Sequence, residues 1–234
     1  MRTVIIVILS FLAISGCNSQ TGHRFLNNEI EIDENNIPLN SKEFYFPEEL
    51  IYNVEIVYEE ENDSVVIIKS QIIENSIDSL SLEWFSKFLF AMKEPLLFNK
   101  PIQKEVFRFT WLRTFDEPVV IRIEKESNQI SVSWKVADGK GGYEPGNLIT
   151  NMNKSISIHD WDEFTDLVKK IDFWNMKRSG QSGFDGSEWI LEGVNESNYH
   201  VVSVWTPNAK SEFYKVCNYL IELTNLKIDE KEKY

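Results

Sequence analysis

The sequence predicts an α+β fold, in which an antiparallel sheet of about five or more strands packs with about three helices. Several segments alternate apolar and polar residues with a period of two, which is typical of strands with one buried face and one face in water. Three other segments repeat apolar residues at helical spacing. Short turns join the strands, and this favours antiparallel pairing over a parallel, doubly wound sheet.

The first predicted elements are a hairpin and a helix. Residues 51–59 and 64–73 are rich in β-branched side chains and are separated by a polar segment, which predicts two paired strands. A helix is predicted from about Ser79, because apolar side chains recur from there at helical spacing, and Pro95 ends it. The recurring side chains are Leu82, Phe85, Phe88, Leu89 and Met92.

The remaining predicted elements are five strands and two helices. Alternation predicts strands in EVFRFTWLR (105–113), VVIRIE (119–124), ISVSWKV (130–136), SEWILEGV (187–194) and YHVVSVW (199–205). A second helix begins near Ser157, which can cap it together with Asp160. The last helix covers about Lys210–Asn225, and the charged segment 227–234 is predicted to be frayed.

The N-terminal residues predict an exported chain. Arg2 precedes an apolar run, Val4–Ile14, and small residues follow it, as in a secretory signal. The run is too short to anchor stably in a bilayer as a helix. The string ISGC, which ends at Cys17, also resembles the signal of bacterial lipoproteins, whose cysteine is lipidated and becomes the first mature residue.

This resemblance divides the chain into three parts. We expect a lipoprotein signal peptide over residues 1–16, then a lipidated N-terminus and flexible tether over 17–41, with lipid attached at Cys17. A single α+β domain is expected over 42–234. The expected location is the bacterial cell envelope, on the periplasmic or outer-membrane face of a membrane, and not the cytoplasm. The lipid anchor makes the membrane the first expected partner, and an envelope protein is a further one.

Composition and net charge limit which classes of molecule the protein is expected to bind. The chain of 234 residues has a formal net charge of −13 and no basic cluster, which argues against nucleic acid and against docking on anionic lipid. It has two cysteines, so lipid on Cys17 excludes a disulfide framework and predicts Cys217 to be a small buried hydrophobe. The seven tryptophans are predicted to belong to the core rather than to a glycan-binding platform.

Two loops carry candidate binding residues. The glycine-rich loop DGKGGYEPG (138–146) allows close backbone approach to a ligand, and Lys140 could meet an anion there, although the spacing of a phosphate loop is absent. The turn FDGSEW (184–189) adds further carboxylates. A paired-carboxylate site of glycosidase type would form if the acidic side chains converged to about 5–10 Å. These side chains are Asp138, Asp185, Glu188 and Glu192.

A polar cluster on the sheet is the third candidate. If their strands are neighbours, Arg108, Arg122, Glu192 and His200 could share one face. That face would be either a cross-strand ion pair with a tethered imidazole or a surface that binds an anion or a peptide. No motif for a metal site, a nucleophilic triad or a nucleotide is present, so we predict no catalytic residue, metal or cofactor.

Several motifs resemble a widespread family of uncharacterised bacterial secreted proteins and lipoproteins. They are AMKEPLL (91–97), FRFTWLRTF (107–115), DGKGGYEPG (138–146), FW (173–174), FDGSEWILEGV (184–194) and YHVVSVWTP (199–207). The resemblance covers about residues 84–226 and implies no activity, so it assigns no catalytic residue.

Three functions are compatible with the sequence. The first is a non-enzymatic binding or assembly module of the envelope, favoured by the signal and by the lack of a reactive constellation. The second is a carboxylate-dependent hydrolase that acts on envelope polymers. The third is an inhibitor or immunity-type protein, whose acidic surface would meet a basic partner by electrostatic steering.

Overall fold

A computed structural model describes residues 26–27, 29–50, 55–61, 65–71, 77–177, 183 and 185–234. The predicted signal peptide and lipid attachment at Cys17 lie outside these residues. The strands are β1 (Glu55–Glu61), β2 (Val65–Gln71), β3 (Glu105–Arg113), β4 (Val119–Glu126), β5 (Gln129–Ala137), β6 (Leu148–Ser155), β7 (Ser187–Val194) and β8 (Tyr199–Trp205). The α-helices are α1 (Ser79–Ala91), α2 (Ile158–Lys170) and α3 (Glu212–Glu222). Among the described residues, no helix is long and apolar enough to cross a membrane.

Six strands form one antiparallel sheet in the order β6-β5-β4-β3-β7-β8, and β1 pairs with β2 in a separate hairpin. The predicted α+β class, the hairpin and the five alternating strands are therefore confirmed. Ser157 caps α2 in a reciprocal capping box with Asp160, as the sequence predicts. Strand β6 was not predicted, because its sequence LITNMNKS is mostly polar and lies at the edge of the sheet.

Both faces of the sheet are buried at β3 and β7, where the expectation that one face meets water is wrong, whereas the edge strand β6 is largely exposed. Helices α2 and α3 cover the face that carries Phe107, Phe109 and Trp111. Helix α1 and residues 44–50 and 96–102 cover the opposite face. The central strand β7 is buried along its whole length. Trp111, Trp134 and Trp189 lie in this core, as predicted, and so does Cys217, whose thiol pKa is raised by burial.

The described part of the predicted tether is attached to the domain. Asn36 is buried, and its side chain donates to the Leu96 carbonyl at 2.7 Å and exchanges two hydrogen bonds with Asn99. Further towards the N-terminus, the Asn27 amide donates to the Asn99 carbonyl at 3.1 Å. The folded part of the chain therefore begins earlier than residue 42, because polar side chains in this segment bind the segment that follows α1.

Candidate functional site

The glycine-rich loop 138–146 lies against the end of β3. The Gly141 amide donates to the Asp116 carbonyl at 3.0 Å, and the Gly142 amide donates to the Thr114 carbonyl at 3.2 Å. A Cβ atom on Gly141 would lie 2.5 Å from the main-chain N and O of Arg113. Only glycine allows this approach, so the glycines serve contact with the protein's own strand rather than with a ligand.

The turn at Asp185 and Gly186 reaches the same strand end from the other side. The Thr114 amide and hydroxyl both donate to the Gly186 carbonyl, at 2.9 and 2.8 Å. The two candidate loops, which are far apart in the sequence, therefore meet at Thr114. We call this end of the molecule, formed by residues 113–117, 138–146 and 185–186, the loop surface.

The loop surface exposes two large aromatic side chains. Phe115 is 51% exposed and Tyr143 is 61% exposed, and each directly follows one member of the hydrogen-bonded pair Thr114 and Gly142. The three predicted charged residues of these loops, Asp138, Lys140 and Asp185, are also exposed. Asp138 has a local role as well, because its Oδ1 accepts the Asn147 amide at 2.6 Å. The surface is thus a rigid set of turns that displays aromatic and charged groups together.

A buried row of charges crosses the sheet beneath α1. Arg108 faces Arg122 on one neighbouring strand and Glu192 on the other. The Arg108 Nε atom donates to Glu192 Oε2 at 2.7 Å, and Tyr199 donates to Glu192 Oε1 at 2.9 Å. Arg108 and Glu192 are both completely buried, and the predicted cross-strand ion pair is present between them, but without the imidazole that the prediction joined to it.

Glu94 joins the cations of this row. Its Oε2 lies 2.6 Å from Arg122 Nη1, and its Oε1 lies 2.8 Å from Lys135 Nζ. Arg108 Nη1 lies 3.7 Å from the same Oε2 and donates to the Pro95 carbonyl at 2.7 Å. Glu94 thereby offsets the repulsion of two arginines that face each other on adjacent strands. We call Glu94, Arg108, Arg122, Lys135 and Glu192 the charge cluster.

Burial and charge act in opposite directions on the two carboxylates of the charge cluster. Burial alone would raise the pKa of Glu94, but Arg122, Lys135 and Arg108 together hold that pKa below its ordinary value. Burial raises the pKa of Glu192, and Arg108 opposes the rise. Loss of Glu94 would leave Lys135 without its carboxylate partner and Arg122 with only Glu124, whose Oε2 lies 3.5 Å from Arg122 Nε.

His200 does not belong to the charge cluster, and the expectation that it shares a face with Arg108 is wrong. It pairs with Gly193, one position beyond Glu192, so its side chain points to the opposite face. There its ring lies 5.1 Å from that of Phe173, and its Nε2 is 2.9 Å from the Met176 carbonyl. The side chain therefore supports the short segment that follows α2.

Burial of His200 makes stability depend on pH. Burial lowers the pKa of His200, with the Met176 carbonyl opposing the change, so the unfolded chain takes up this proton first as the pH falls. We expect the free energy of unfolding to decrease from about pH 7 towards pH 5, by at most about 1.4 kcal/mol per pH unit from this group. Urea titrations at several pH values should show that the free energy of unfolding of His200→Gln decreases less over this range than that of the wild-type protein. His159→Gln, at a side chain that is 78% exposed, should keep the wild-type slope; identical slopes in all three proteins would contradict the assignment.

The candidate carboxylates do not gather into one site. Glu188 and Glu192 lie four residues apart on β7, about 13 Å at strand spacing, which exceeds the 5–10 Å of a glycosidase pair. Asp138 and Asp185 lie beyond the strand ends, on the loop surface. Within the described ranges, no group of three or more His, Cys, Asp or Glu side chains could hold a metal ion.

No protein-family model matches the chain, and no curated protein is significantly similar to it. Of the predicted residues, Asp138, Lys140 and Asp185 are exposed on the two loops of the loop surface, while Arg108, Arg122 and Glu192 come together in the charge cluster.

Sequence reasoning missed Glu94 and Lys135 as members of the charge cluster. A signal for the missing anion was present, because two arginines at matching positions of adjacent strands need a counterion. Nothing in the local sequence indicated that Glu94, in the segment after α1, supplies it. Phe115 was also missed as an exposed aromatic residue, since it continues the apolar pattern of β3.

Proposed function

We propose that the protein is a non-enzymatic binding module of the bacterial cell envelope, anchored by lipid at Cys17, and that the loop surface contacts a protein partner. The observation that carries the proposal is the contrast between the two candidate sites. The ionisable groups of the charge cluster are mostly buried and paired with one another, whereas the loop surface exposes Phe115 and Tyr143 on two turns that the Gly142–Thr114 hydrogen bond joins. Aromatic side chains are enriched at protein interfaces, where they supply a large contact area.

The resemblance of residues 84–226 to secreted and lipidated bacterial proteins supports the same proposal. Three of its motifs, FRFTWLRTF, DGKGGYEPG and FDGSEWILEGV, contribute residues to the loop surface, and the other motifs lie elsewhere in the chain.

Site-specific cross-linking in cells tests the proposal. A photoreactive phenylalanine analogue is placed at position 115, 143 or 80 of the full chain. Leu80 is the matched control, since it is 76% exposed and lies at the start of α1, outside the loop surface. We expect one and the same protein adduct at positions 115 and 143, and none at 80. No adduct at 115 and 143, or the same adducts at all three positions, would overturn the proposal.

Fractionation of the same cells tests the anchor. The wild-type chain is expected in the membrane fraction, with the mass of a diacylglyceryl group on Cys17, and Cys17→Ser is expected in the soluble fraction. Repeating the capture at raised salt separates the inhibitor-type alternative, which predicts a strong loss of binding to a basic partner.

A further inference from the structure

Three buried hydrogen-bond donors converge at the end of β3 and β7. Trp111 and Trp189 face each other across the two strands, with ring centroids 5.0 Å apart, and Ser187 begins β7 beside them. All three residues are completely buried. An indole N–H can only donate: Trp189 Nε1 donates to Ser187 Oγ at 2.8 Å, and Trp111 Nε1 needs an acceptor from another part of the chain.

The main-chain oxygen of Tyr234 supplies that acceptor. Trp189 Nε1 donates to it at 3.1 Å, Trp111 Nε1 at 3.4 Å, and the Ser187 hydroxyl also donates to it. The prediction that segment 227–234 is frayed is therefore wrong at Tyr234. A buried donor without a partner costs about 1–3 kcal/mol, so an acceptor at this place has a clear energetic reason.

The phenol of Tyr234 is bound as well. Its hydroxyl donates to Asp116 Oδ2 at 2.7 Å and accepts the Phe115 amide at 3.4 Å. One tyrosine is thus recognised at both ends, by its main-chain oxygen and by its hydroxyl. We call the pocket formed by Trp111, Asp116, Ser187 and Trp189 the tyrosine notch.

The segment that carries Tyr234, residues 227–234, lies at the surface of the domain, and we call it the strap. Lys227, Asp229 and Lys231 are exposed, and Tyr234 itself is half-buried, whereas the three donors beneath it are inaccessible. The strap is attached to the domain by Lys233 Nζ, which donates to Asn218 Oδ1 at 3.1 Å, by the 3.9 Å pair of Glu232 and Arg113, and by Ile228, which packs against the core. The notch is therefore specific, while the strap that fills it lies on the surface.

We propose that the tyrosine notch is a peptide-binding site, filled in cis by Tyr234, which also accepts a tyrosine-bearing segment of a partner protein. The inference deepens the proposed function and rests on it for the role of the site, because the notch adjoins Phe115 on the loop surface. The strap and the partner segment present the same chemistry, an acceptor oxygen and a phenol, to the same donors.

The test vacates the notch in the full chain with Tyr234→Ala and supplies the synthetic peptide KIDEKEKY in trans. Binding is followed by calorimetry and by the indole N–H resonances of Trp111 and Trp189. We expect the peptide to bind the variant at least tenfold more tightly than it binds the wild-type protein, and to shift both resonances. A control peptide with Ala in place of its Tyr should show no binding.

Three results would overturn the inference. The peptide could bind the variant and the wild-type protein equally tightly, or the control peptide could bind the variant as tightly as KIDEKEKY does. The third result is that no binding is detected at 1 mM peptide, which corresponds to a binding free energy of about −4 kcal/mol. Asp116→Asn in the full chain is the second variant, in case Tyr234→Ala does not fold. Asp116→Asn leaves the three donors in place and should speed hydrogen exchange at the two indole N–H groups at least tenfold. Unchanged exchange would also contradict the proposed role of the tyrosine notch.

Peptide binding and cellular cross-linking can fail separately. Binding of the peptide without adducts at positions 115 and 143 would leave the notch standing and overturn the proposed function. Adducts at those positions without peptide binding would overturn the notch alone.

Discussion

Replacing Glu94 by Gln is expected to lower the free energy of unfolding by about 3–5 kcal/mol. The carboxylate accepts short contacts from Arg122 and Lys135 and balances Arg108, and all of these groups lie in the interior. Without it, Lys135 loses its carboxylate partner, and Arg122 keeps only the longer, 3.5 Å contact with Glu124. Urea unfolding at pH 7 measures the loss directly.

The matched control is Glu144→Gln. Glu144 also forms a short ion pair, 2.6 Å from Lys87 Nζ, but both side chains are largely exposed. Exposed pairs contribute at most about 1 kcal/mol, so the control should stay close to wild type. If the two variants lost similar amounts of stability, burial of the charge cluster would not be the source of its contribution.

The Glu94→Gln effect should also depend on pH in a definite direction. Cations hold the pKa of Glu94 below its ordinary value, so its contribution is present above the pKa of a free glutamate and is lost as the pH falls through the lower, folded value. The difference between wild type and variant should therefore shrink as the pH falls below about 4. A difference that grows in acid would contradict the assignment.

Gly141→Ala is expected to destabilise the protein by about 2–3 kcal/mol. The new methyl group would lie 2.5–2.6 Å from main-chain atoms of Leu112 and Arg113, which cannot move without disturbing β3. The loop must instead withdraw, and the bond from the Gly141 amide to Asp116 would be lost.

The neighbouring Lys140→Ala is the control for this loop, because Lys140 is exposed and the change leaves the backbone contact intact. Its stability should differ from wild type by less than about 0.5 kcal/mol. In cells, Gly141→Ala should also reduce cross-linking at position 143, and position 80 should still give no adduct. A fully stable Gly141→Ala protein would show that the approach to β3 is looser than described.

The sequence predicted the sheet well where burial alternates along a strand. Phe107, Phe109 and Trp111 mark one face of β3, and the same period appears in β4, β5, β7 and β8. It did not predict that polar residues on the other face are buried too. Arg108 and Glu192 have the spacing of residues that face solvent. Their burial depends on the covering of this sheet face by helix α1, and local sequence does not show where that helix packs.

Two further differences have local physical causes. The face of His200 depends on the register across the turn at 195–198, and a shift of one residue reverses every side chain of β8. The loop surface was found only as separate fragments, since contact between the loops depends on the order of strands that are remote in sequence. Nothing in the sequence indicated that Tyr234 binds to the domain, because a charged segment with one aromatic residue has no periodicity.

The early attachment of the chain at Asn27 limits how far the domain can stand from a bilayer. Nine residues lie between Cys17 and Asn27, and the ten Cα–Cα steps of that stretch span at most about 35 Å when fully extended. With the acyl anchor proposed at Cys17, the standoff distance is comparable to the thickness of the bilayer's hydrocarbon core. Anything the domain captures must therefore come within a few nanometres of the lipid headgroups, which favours membrane-bound or membrane-apposed binding targets over freely diffusing ones.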